Sequence, residues 1–105
     1  MIGNKILVFQ LVEESYEEIN IEQNVTLYSI LDTDKILFFI DPNNSKVWVW
    51  EGKNTTTKMK FISARVASEI RDKVAITCSI ATVDEDNEPD DFLSLIGLEK
   101  EISIN

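Results

Sequence analysis

The sequence predicts an α/β domain, specifically an α+β sandwich with one mixed central sheet of about five strands between a long helix and a short one. Three observations carry this. Val47, Trp48, Val49 and Trp50 are β-branched or aromatic, and so read as a strand buried on both faces. Met59, Ile62, Val66 and Ile70 recur at three- and four-residue spacing, with Ser63 and Ala67 filling the same stripe, as in a helix packed on a sheet. Finally, the long helix falls between two strands, and a second, shorter helix closes the order.

Taken in order, Lys5 to Leu11 is an apolar strand and Glu13 to Glu18 an acidic turn. Ile19 and Ile21 alternate with Asn20 and Glu22, which fits a short half-exposed strand. Val25 to Leu31 reads equally as a helical turn or an extended crossing. Ile36 to Ile40 is a fully buried strand. The turn chemistry of Asp41-Pro42-Asn43-Asn44-Ser45 joins it to Lys46–Trp50 as a hairpin. Gly52 punctuates that second strand, and Thr55, Thr56 and Thr57 offer hydroxyl caps for a helix over Thr56 to Arg71. Val74 to Val83 returns as a strand, with Cys78 an inert buried thiol within it. Asp84 to Glu88 is an acidic loop, Pro89 opens a short helix from Asp90 to Ile96, and Gly97 stops it. A mostly polar tail runs to Asn105.

The 105 residues make one domain, 1–105, with no internal repeat or low-complexity linker. A formal charge of −9 argues against nucleic-acid or anionic-membrane binding by the bulk surface. A single cysteine excludes an intrachain disulfide. Ile6 to Val12 is too short for a signal core or a membrane span, so a cytoplasmic address is the expectation. Gly3 is not placed for myristoylation, and the glycosylation-type triplets at Asn24, Asn43 and Asn54 mean little without a secretion signal.

The constellations that catalysis needs are missing. There is no histidine, no Gly-rich phosphate loop, and no serine or cysteine with a base beside it, so the chain does not read as an enzyme. Asp84-x-Asp86-x-Glu88 imitates the opening of a helix-loop-helix calcium loop, but Pro89 stands where that loop needs glycine.

Two motifs point further. Phe38-Phe39-Ile40-Asp41, a short turn, and Lys46-Val47-Trp48-Val49-Trp50-Glu51-Gly52-Lys53 ahead of a helix resemble the core of gelsolin-like domains, the repeats of gelsolin, villin and severin. The acidic loop with Glu88-Pro89, followed by Asp90-Asp91-Phe92-Leu93-Ser94-Leu95-Ile96-Gly97, resembles that family's closing segment. Together the motifs span Ile36 to Gly97 in the family's order. The resemblance implies a regulatory domain that binds actin or an actin-like protein, as a monomer binder or a filament-end cap, in many members under calcium control. The family's shared calcium site uses an Asp where this chain has Ile36 and a Glu where it has Met59, and Asp34 lies two residues early. A butyl group and a thioether offer no hard oxygen ligands, so no metal or other cofactor is expected.

The outer face of the long helix is where a partner is expected. Phe61 lies opposite the apolar stripe, among Thr57, Ala64, Arg65 and Ser68. A phenylalanine there is either a satellite contact under a loop or an anchor for a partner. The resemblance implies the anchor, because the same face of the first gelsolin repeat docks in a cleft of actin, with Phe61, Arg65 and Ser68 on the matching positions. Charge agrees: Lys53 to Lys73 carries a net +4 and the rest of the chain −13. Lys58 and Lys60 sit near the helix N-terminus, where the macrodipole disfavours cations, so their charges read as serving an acidic partner surface. The alternatives are a structural or assembly module contacting a non-actin protein, as gelsolin-like domains do in vesicle-coat subunits, and binding of acidic lipid headgroups through the basic helix.

Overall fold

A computed structural model describes residues 6–22 and 25–98. The expected strand start at Lys5, the triplet at Asn24 and the polar tail beyond Leu98 lie outside those residues. Five strands form one mixed sheet: β1 (Leu7–Val12), β2 (Ser15–Ile19), β3 (Ile36–Asp41), β4 (Lys46–Glu51) and β5 (Ser79–Asp84), in the order β2-β1-β3-β4-β5. All neighbours are antiparallel except β4 and β5. A parallel pair needs a long crossover, and helix α1 (Thr57–Val74) supplies it.

The central strands β3 and β4 are buried on both faces, as their unbroken apolar runs require. Alternation along them sorts the core into two layers. Phe9, Ile36, Phe38, Ile40, Val47 and Val49 pack with Val66, Ala67 and Ile70 of α1, with Met59 and Ile62 half-buried beside them. Val8, Leu37, Phe39, Trp48, Trp50 and Val83 pack with Phe92 and Ile96 of α2 (Asp90–Ile96). There the Phe92 ring meets Phe39 and Trp48 edge-on, at 5.3 and 5.6 Å between centroids. Each indole finds a carboxylate: Trp48 Nε1 donates to Asp41 Oδ2 at 3.1 Å and Trp50 Nε1 to Glu88 Oε2 at 3.0 Å.

The caps are those the sequence offers. Thr56 Oγ1 accepts from the Met59 N–H at 3.1 Å. Gly97, at φ +94°, closes α2 with its own N–H on Ser94 and the Leu98 N–H on Leu93. Gly52 is required by close approach, since a Cβ there would collide with the Thr33 carbonyl.

The structure differs from the sequence reading in four places. The acidic turn shrinks to Glu13-Glu14, and the strand expected at Ile19–Ile21 is Ser15–Ile19. Pairing with β1, including Leu11 opposite Tyr16 and an edge-on Phe9–Tyr16 contact at 5.5 Å, overrides the local charge. The undecided segment is a single 3₁₀ turn, Leu27–Ile30. Helix α1 runs on to Val74, where the Ala75 N–H still reaches the Arg71 carbonyl at 2.9 Å and Arg71 and Lys73 complement the C-terminal dipole. Strand β5 therefore starts only at Ser79, and Cys78 sits half-buried in the preceding turn rather than in a strand.

Candidate docking site

Periodicity fixes what α1 shows to solvent. Its stripe turns Ser63, Val66, Ala67 and Ile70 into the sheet, and Ser63 Oγ is satisfied by the Lys60 carbonyl at 2.8 Å. The opposite side is left with Phe61, which is 81% exposed. Thr57, Lys58, Lys60, Ala64 and Arg65 are exposed with it, and Ser68 is half-buried at the margin. A phenylalanine at that exposure buries little of its apolar surface within the described residues.

The β1–β2 turn stands beside this face. An open groove of ≈ 550 Å³ is lined by Glu14, Lys58, Phe61, Ile62, Ala64 and Arg65. It shares Glu14, Lys58 and Ile62 with a second groove, which Glu13 and Met59 also line. Arg65 spans the two elements: Nη1 donates to Glu69 Oε2 at 2.8 Å, and Nη2 donates to the Glu14 carbonyl at 3.1 Å. Five of the six residues singled out from the sequence thus sit exposed on one face, and Arg65 is tied within the chain. Sequence reasoning missed Glu13 and Glu14 because they reach α1 only through the folding of the β1–β2 hairpin.

An acidic corner lies at the same end of the sheet as the β1–β2 turn, around Gly52. Glu85 accepts from Thr33 Oγ1 at 2.8 Å and from the Lys53 N–H at 2.7 Å. Asp86 pairs with Lys53 at 2.9 Å and holds that exposed ammonium above its ordinary pKa. Burial, then hydrogen bonding and repulsion from Asp84, pushes the Glu51 carboxyl up, with Lys60 acting the other way. The resemblance puts calcium ligands where this chain has Ile36 and Met59, with Asp34 nearby in sequence. Ile36 is fully buried in the sheet, Met59 packs against the core, and Asp34 Oδ1 accepts from Asn54 Nδ2 at 3.0 Å. Among the described residues, no three or more Asp, Glu, Cys or His side chains gather to hold a metal.

Comparison with solved structures decides the fold. The chain superimposes on ProGel in the crystal structure of the Thorarchaeota ProGel/rabbit actin complex with a TM-score of 0.74 and 24% identity, over 89% of this chain and 100% of that one. The fold is gelsolin-like. The Thorarchaeota 2DGel3 chain, also crystallised with rabbit actin, matches with a TM-score of 0.64 and 21% identity, over 90% of this chain. The match spans 46% of 2DGel3. No protein-family model matches the chain, and no curated protein does. In the gelsolin-like frame, α1 is the long helix, α2 the closing helix, and the Phe61 face is the side of α1 turned away from the sheet.

Proposed function

We propose that this domain is an actin-binding regulator, a binding module rather than an enzyme, that engages monomers or caps filament ends through the outer face of α1. The observation that carries the reading is Phe61, held 81% exposed on a helix whose other side is packed in the core. Lys58 and Lys60 flank it, and neither forms an ion pair among the described residues. Two proteins of the same fold, ProGel and 2DGel3, were crystallised with actin. In this reading Phe61 is the apolar anchor, Ala64 leaves room for its cleft, Ser68 and Arg65 border it, and Lys58 and Lys60 meet acidic groups on actin. Calcium takes no part through the family's shared site, and the address is cytoplasmic.

Polymerisation of fluorescently labelled actin tests this directly. Added to monomers, the domain is expected to slow growth or to block one filament end. Unchanged time courses at a molar excess of the domain over actin would overturn the actin reading and favour a non-actin partner. Calorimetric titration with calcium is expected to show no micromolar binding. A micromolar site abolished by Asp34→Asn would show that the ion is held after all.

A further inference from the structure

We propose that the β1–β2 turn is the second wall of the docking face, and that the carboxylates of Glu13 and Glu14 read a basic side chain on the lip of the partner's apolar cleft. This deepens the actin reading and rests on it. The first observation is position: Glu14 lines the same groove as Phe61, and Glu13 joins Glu14, Lys58 and Ile62 in lining a second groove that shares those three residues. The second is rigidity. Arg65 ties the turn to α1 through the Glu14 carbonyl, a backbone atom, and Glu14 itself is exposed. Neither Glu13 nor Glu14 forms an ion pair among the described residues.

The third observation is cost. Val12 pairs with Ser15, so the hairpin closes through Glu13-Glu14 alone, and Glu13 takes φ +55°. Glycine or asparagine adopts that left-handed conformation more cheaply, and two adjacent carboxylates repel each other. Backbone strain and charge repulsion at one exposed turn, beside an exposed phenylalanine, mark a place where local stability yields to recognition. Arg65 becomes a positioning residue here, because Nη1 and Nη2 each donate within the chain, to Glu69 and to the turn. The face is therefore bipolar, with Lys58 and Lys60 on α1, Phe61 beside them, and the paired glutamates on the turn. Its occupant is an apolar cleft on actin with an acidic group on one lip and a lysine or arginine on the other.

The test compares Glu13→Lys with Glu14→Lys as a double variant, the matching Gln pair, Phe61→Ala, and Asp91→Lys on α2 as a charge control. Each is measured for thermal stability and for affinity to monomeric actin at low and high salt. We expect the Lys pair to weaken binding by tenfold or more and the Gln pair by less. Salt should narrow both losses, melting temperature should hold, and Asp91→Lys should change affinity by less than twofold. If the Lys pair binds as tightly as the native chain while Phe61→Ala loses binding, the turn is not a wall and the helix reading survives. If Asp91→Lys weakens binding as much as the Lys pair, the effect is bulk charge and the proposal fails. If Phe61→Ala binds as the native chain does, the helix reading fails, and the proposal with it.

Discussion

Glu51 shows how one side chain couples this fold to pH. It is buried at the end of β4, opposite Asp84 in the parallel register with β5. Its carboxyl is raised above the ordinary glutamate value, first by burial and then by Asp84. A raised acid binds its proton more tightly in the folded chain than in the unfolded one. The stability it contributes is complete below the unfolded pKa and is lost as pH rises through the folded pKa. Glu51→Gln keeps a neutral group able to donate to Asp84, so the variant should gain stability over the native chain as pH climbs to neutrality. Denaturant midpoints of both proteins, followed from acid to neutral pH, check it. A gap that stays constant or shrinks with rising pH would contradict the assignment. Val66 illustrates the opposite kind of residue, one fully buried between α1 and the sheet. Val66→Ala should cost about 2 kcal/mol, enough to lower the melting temperature by roughly 10 °C.

At the scale of elements, what the sequence revealed follows what is local. Strands β3 and β4 were legible because both faces are buried and their runs are wholly apolar. Helix α1 was legible because its stripe keeps a 3.6-residue period, and α2 because Pro89 and Gly97 bracket it. Phe61 was legible for the same reason as the stripe, since periodicity places it opposite. Strand β2 was not, because Glu17 and Glu18 are exposed on an edge strand whose existence depends on β1. The end of α1 was misplaced because Val74 has strand propensity, while the hydrogen bond from Ala75 to Arg71 extends the helix. The placement of the β1–β2 turn beside α1 was illegible for a stronger reason: Arg65 and Glu14 meet across 51 positions of sequence.

For the molecule as a whole, charge separation is the property that outlasts any single contact. A net +4 between Lys53 and Lys73 sits on a remainder of −13, a separation that favours approach of an acidic surface from the α1 side. Replacing Lys58 and Lys60 by Glu should slow association with actin about tenfold and leave dissociation little changed. In stopped-flow measurements, an off-rate that rises while the on-rate holds, or rates that ignore salt, would count against steering. The central claim is narrower: α1 carries an anchor that the fold itself does not need. It is tested most directly by the dissociation constant of Phe61→Ala for monomeric actin, measured on protein whose melting temperature has been recorded. The expected loss is about 2 kcal/mol, roughly 30-fold in Kd, with the melting temperature preserved. A variant that binds actin like the native chain, or that unfolds because Phe61 was holding the domain together, would contradict it.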